Sequence, residues 1–64
     1  MDVRIKKTKN NLASAIQELL LTKSLDDISV TELCTAAGIN RTTFYKHYTI
    51  PTDVVEEIIK SVIE

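Results

Sequence analysis

The sequence predicts an all-α fold, a three-helix bundle followed by the start of a fourth helix. Three observations carry that expectation. Apolar residues recur at helical spacing in the first third of the chain, a helix-start signature stands at Ser29–Glu32, and the only glycine, Gly38, falls between two short helical stretches.

Leu12, Ala15, Ile16, Leu19 and Leu20 stand at i, i+3, i+4, i+7 and i+8, which is one stripe of an amphipathic helix. This helix is expected from about Lys7 or Thr8 to about Lys23. Leu25-Asp26-Asp27-Ile28 then reads as a turn, with Leu25 and Ile28 placed to anchor it in the core. Ser29-Val30-Thr31-Glu32 has the form of a capping box. In that motif the serine hydroxyl takes the amide three residues on, and the glutamate returns to the serine amide. Helix two is thus short, from Val30 to Ala37, with Val30, Leu33 and Ala37 on its buried side. Gly38 follows, where a chain leaving a helix enters the left-handed region that glycine occupies cheaply. Asn40 is a good cap for a third helix over Arg41–Tyr48, and Ile39 is free to pack into the core.

Turning by 100° per residue puts Phe44 and Tyr48 on one side of helix three and Thr42 and Lys46 on the other. Thr43 and Tyr45 flank the outer side, and Arg41 lies in the first turn. Pro51 suits a first helical turn. Helix four is expected over 52–63, its stripe formed by Val54, Val55, Ile58, Ile59, Val62 and Ile63. The whole chain, 1–64, reads as one small domain without repeats or linkers, with the helix-turn-helix at about 29–48.

Composition narrows the function classes. A chain of 64 residues buries only about 60% of its unfolded surface, which leaves little room for a catalytic cavity beside a core. No nucleophile–base pair, metal-ligand cluster or phosphate-binding glycine loop is present, so neither an enzyme nor a cofactor or metal protein is expected. His47 has no second histidine or cysteine placed to join it on a metal. Cys34 fits a helix crossing, where a small side chain lets two helices approach, better than it fits a catalytic thiol. A lone cysteine, no signal-peptide pattern and no membrane-length apolar run point to a cytoplasmic, soluble chain.

The net charge of −1 hides an asymmetry. Residues 1–48 hold seven basic and five acidic side chains, a balance of +2, whereas residues 49–64 hold one basic and four acidic, a balance of −3. A duplex senses one face of a protein, so the distribution matters more than the sum. Helix three contains no carboxylate between Asn40 and Tyr48. Its outer face instead carries Arg41, Thr42, Thr43, Tyr45 and Lys46. These supply guanidinium, hydroxyl, methyl and ammonium groups suited to a major groove.

Residues of about 10–58 resemble the N-terminal domain of the tetracycline-repressor (TetR) family. Leu12, Ala15, Leu19 and Leu20 match its first-helix pattern, and Ser29 through Ile39, with Ala36-Ala37-Gly38-Ile39, matches its second helix and turn. Asn40-Arg41-Thr42-Thr43-Phe44-Tyr45-Lys46-His47-Tyr48 matches its recognition helix. The resemblance implies a homeodomain-like helix-turn-helix and sequence-specific DNA binding, most often repression. It implies that Thr31, Arg41 and Thr42 face bases, and that Tyr45 touches a base methyl or a phosphate. Thr43, Lys46 and His47 would meet phosphates, while Arg4, Lys6, Lys7 and Lys9 before helix one would steer the chain onto the backbone.

Two positions depart from the family pattern. Pro51 stands where the family commonly has a phosphate-contacting lysine, and Ser24 where it usually has glycine. The resemblance also implies a longer protein, a homodimer on a pseudo-palindromic operator, with a further domain that binds a small effector. The chain alone is then expected to be monomeric or weakly associated. The competing expectation is a protein-interaction module on the same scaffold, motivated by Pro51, the acidic final segment and the apolar stripe of helix four.

Overall fold

The computed structural model describes residues 3–63, and their side chains over 5–60. Expectations for the side chains of Arg4, Val62 and Ile63 lie outside the described residues. Four α-helices follow in order: α1 (Val3–Leu19), α2 (Val30–Ala37), α3 (Arg41–Tyr45) and α4 (Pro51–Ile63). The first three form a bundle, and α4 packs back against α1. The all-α expectation holds.

The core is aliphatic with one aromatic pair. Leu12 and Ile16 of α1, Leu33 of α2 and Phe44 of α3 are fully enclosed, and Val54 of α4 nearly so. Ala15, Ile28, Cys34 and Tyr48 complete it, with Leu19, Leu25, Val30, Ala37, Ile39, Val55 and Ile58 packed around. The Phe44 and Tyr48 rings sit 5.5 Å apart at a tilt of 39°. Burying five such large side chains supplies about 1.5–3 kcal/mol each, the main term holding so small a fold.

Helix α1 begins and ends earlier than its apolar stripe suggested. Nothing in Val3–Thr8 breaks a helix, so the helical ladder extends back to Val3. At its other end Leu21 and Thr22 bond to carbonyls three residues back, and the Thr22 hydroxyl also reaches the Leu19 carbonyl. The helix therefore closes at Leu19, not at Lys23. Leu20 belongs to the apolar stripe by spacing, yet it is 38% exposed. It lies about 90° from the stripe centre set by Leu12, Ala15, Ile16 and Leu19, at the edge of what the bundle covers. The following segment makes one 3-10 turn over Leu25–Asp27, tied by the Ser24 hydroxyl to the Asp27 carboxylate at 3.0 Å, and Ile28 is buried as expected.

The α2 start is half of the expected capping box. Ser29 Oγ accepts the Glu32 amide at 3.0 Å. The Glu32 carboxylate does not return to Ser29 but pairs with the Lys23 ammonium, linking the α1–α2 connection to α2. An ammonium within reach competes well with a neutral amide for a carboxylate. At the other end Gly38 has φ 74 and ψ 31. Its amide reaches the Thr35 carbonyl at 3.3 Å and the Ile39 amide reaches the Cys34 carbonyl at 3.0 Å. These two bonds make a Schellman ending, and they turn Ile39 onto the core.

Helix α3 is shorter than expected. Asn40 Oδ1 accepts the Thr43 amide at 2.8 Å and starts it. The amides of Lys46 and His47 then bond to carbonyls three residues back, so the regular helix stops at Tyr45 and a tighter turn brings Tyr48 under Phe44. Helix α4 starts with Pro51 as its first residue. Asp53 secures that start by accepting the amides of Thr49 and Ile50 at 2.8 and 3.2 Å. Its expected stripe is narrower than drawn. Val54 is buried and Val55 and Ile58 are half-buried, but Ile59 is 51% exposed because α1 covers only one side of α4.

Candidate nucleic-acid interface

The turn at Gly38 sets the relation between α2 and α3, and so decides which side chains share a surface. Phe44 points inward and is fully enclosed. Helical geometry then sends Thr42 outward and Tyr45 to the flank, while Arg41 lies in the open first turn, and all three are exposed. Tyr45 is 54% exposed, with its ring edge-on to Phe44 at 5.4 Å and 84°. The phenol is thus braced from below and open above. Lys46 and His47 are exposed on the turn that follows the regular helix.

Thr31 lies exposed in the first turn of α2, ten residues before Arg41, and the fold brings the two together. Arg41 Nη1 donates to Thr31 Oγ1 at 3.4 Å. The Thr31 carbonyl accepts the Thr35 hydroxyl at 2.9 Å. Thr43 differs from its neighbours. It is half-buried, its amide is held by Asn40, and its carbonyl accepts the Lys46 amide, so its exposed part is small.

The acidic residues around this surface are largely engaged. Glu32, the one acid of α2, pairs with Lys23. Asp53 is held by two backbone amides. Glu57 takes Lys9 at 3.4 Å and the Tyr48 hydroxyl at 3.1 Å. The last pair alters the expectation for the basic residues of α1. Lys9, expected to help steer the chain onto a phosphate backbone, is committed to Glu57 on the α4 side, whereas Lys6 and Lys7 are exposed.

His47 is also set apart from the rest. With Tyr48, Asp53, Glu56, Glu57 and Lys60 it lines an open depression between the turn and α4. Of the side chains expected to meet DNA, Thr31, Arg41, Thr42, Tyr45, Lys46 and His47 are exposed and Thr43 is half-buried.

Two titratable groups behind the surface are shifted. Burial pushes the Cys34 thiol up, and the positive charge of Arg41 partly opposes that shift. Burial, then the charge of Glu57 and its hydrogen bond, push the Tyr48 phenol up to about 12. Neither group is poised for proton transfer near neutrality.

Sequence reasoning missed Glu57, Asp53 and the Lys23–Glu32 pair. Asp53 had a local signal, an acid at the third position of a proline-started helix, where a carboxylate can reach back to the preceding amides. Glu57 had none, because its partners on α1 and after α3 are distant in sequence. Among the described residues no group of three His, Cys, Asp or Glu side chains is placed to hold a metal ion, and no helix is long and apolar enough to cross a membrane.

The chain matches no family model, no curated protein and no solved structure.

Proposed function

We propose that this chain binds duplex DNA sequence-specifically, as the reading part of a cytoplasmic transcription regulator of the TetR kind. One observation carries the reading. The surface of α3 and the turn after it is free of carboxylates, exposes Arg41, Thr42, Tyr45 and Lys46, and meets Thr31 of α2 through Arg41. Charged and hydroxyl groups on a short, braced helix suit a major groove, where base edges offer donors, acceptors and the thymine methyl. Lys46 supplies phosphate neutralisation and Arg41 and Thr42 the base contacts. In the complete regulator two such units would meet two half-sites, and a further domain would release them on binding an effector.

Fluorescence anisotropy against duplex DNA over a salt series tests the reading. Each phosphate neutralised contributes about −0.9 to the slope of log affinity on log salt. Binding that ignores both salt and the double change Arg41→Ala with Lys46→Ala refutes it.

One observation favours a second reading, an interaction module. Ile59 is 51% exposed on α4 beside the half-buried Val55 and Ile58. Sedimentation of the Ile59→Glu variant decides this. Self-association of the native chain that the variant abolishes supports the module, and a monomer indifferent to the change removes it.

A further inference from the structure

The contact between Arg41 and Thr31 bears on what the surface reads. It joins the first turns of two different helices, across the Gly38 turn, and is a bond between two exposed side chains. A free arginine on a helix start samples many rotamers, and holding one conformation costs entropy on binding. Here the Thr31 hydroxyl accepts from one Nη1–H and biases the guanidinium to lie back across α2.

The chemistry of the guanidinium then matters. It presents five N–H groups in a rigid fork. Nη1 is engaged with Thr31, which leaves the parallel N–H groups of Nε and Nη2 to a partner. Two parallel donors match two adjacent acceptors. In the major groove only guanine offers that pair on one base, through O6 and N7. Adenine has an acceptor beside a donor, and thymine and cytosine lack the pair. The hydroxyl that orients Arg41 also keeps its own proton for a neighbouring acceptor.

We propose that Arg41 reads a guanine in the target duplex and that Thr31 is the positioning residue that aims it. This rests on the DNA-binding reading above and adds the base and the residue pair. Thr42, which follows Arg41 on the same exposed turn, then faces the adjacent base pair and is not needed for the guanine preference.

The test is selection from randomised duplex pools at low salt, with bound and unbound fractions sequenced. It uses the native chain, Arg41→Lys, Thr31→Val and Thr31→Ser, each first checked for native helix content by circular dichroism. Both side chains are exposed, so all variants should fold. The native chain is expected to enrich guanine at one position by about tenfold or more over the other bases. Arg41→Lys keeps a charge without the fork and should flatten that position while the salt dependence of total binding persists. Thr31→Val removes the acceptor at nearly constant shape and should flatten it too; Thr31→Ser should restore it. Duplex binding without guanine enrichment overturns the inference and leaves the proposed function standing. So does enrichment that survives Thr31→Val. Absence of duplex binding by the native chain overturns both.

Discussion

Replacing Gly38 with L-alanine isolates a backbone effect in this fold. The residue has φ 74, and a Cβ built there meets nothing within 4 Å. Clash therefore contributes nothing, and two opposing conformational effects remain. Holding an L-residue in the left-handed region costs about 1–2 kcal/mol. Alanine also stiffens the unfolded chain, which returns about 0.4–1 kcal/mol. The net is a loss of about 1 kcal/mol, or about 4–8 °C in Tm for a domain of this size. D-alanine at the same position, introduced by chemical synthesis, reverses the sign. The left-handed region is its favoured one, so only the unfolded-state effect survives and Tm should rise. Thermal and urea unfolding followed by far-ultraviolet circular dichroism measure both. An L-alanine variant as stable as the native chain, or a D-alanine variant as unstable as the L-form, refutes the argument that φ alone demands glycine here.

Phe44→Ala should cost about 3–5 kcal/mol, because its ring is fully enclosed, and that rivals the entire stability of a 64-residue chain; circular dichroism should find it largely unfolded at room temperature. Asp53→Ala leaves the amides of Thr49 and Ile50 without their carboxylate and should lower stability by about 1 kcal/mol, read as a shift in urea midpoint without a change in slope. Tyr48 has a phenol pKa of about 12 against an ordinary 10.0, so the folded state holds its proton more tightly than the unfolded chain does. Its contribution is complete below the ordinary value and lost as pH rises to about 12; pH-dependent melts of Tyr48→Phe should lack that alkaline decline. Lys46→Ala should reduce the salt slope of duplex binding by about one, measured by anisotropy, with little change in base preference.

The parts of the fold legible in the sequence were those written locally. The Ser29 cap, the Asn40 cap and the Gly38 ending each depend on a few adjacent residues, and each is present. Phe44 and Tyr48 declared themselves as a core pair by spacing alone. What the sequence did not disclose depends on residues distant along the chain. The Glu32 side chain had a local partner available in Ser29, but the Lys23 ammonium comes within reach once the α1–α2 connection folds back. The same logic hid the engagement of Lys9 by Glu57, which only the packing of α4 on α1 creates. Helix ends moved for a related reason. Periodicity reports which side of a helix is apolar, but terminal hydrogen bonds to carbonyls three residues back decide where α1 and α3 stop.

That division explains how the candidate surface is held. A regular helix of five residues has too few internal hydrogen bonds to persist alone, so α3 takes its order from its surroundings. Phe44 anchors its inner side, Asn40 fixes its first turn, and Tyr48 holds the turn that follows. Tyr48 is the member that reaches furthest, because its ring packs on Phe44 while its hydroxyl binds Glu57 of α4, which in turn takes Lys9 of α1. The partly exposed ion pair contributes about 0–1 kcal/mol, less than the buried ring, so packing holds the turn and the polar chain directs it. A displacement of α4 along α1 must therefore break the Tyr48–Glu57 bond or carry the turn after α3 with it. Lys46 and His47, on the turn between Tyr45 and Tyr48, are thus placed by contacts that also seat the last helix, whereas Arg41 is fixed from the other side by the Asn40 cap and its bond to Thr31.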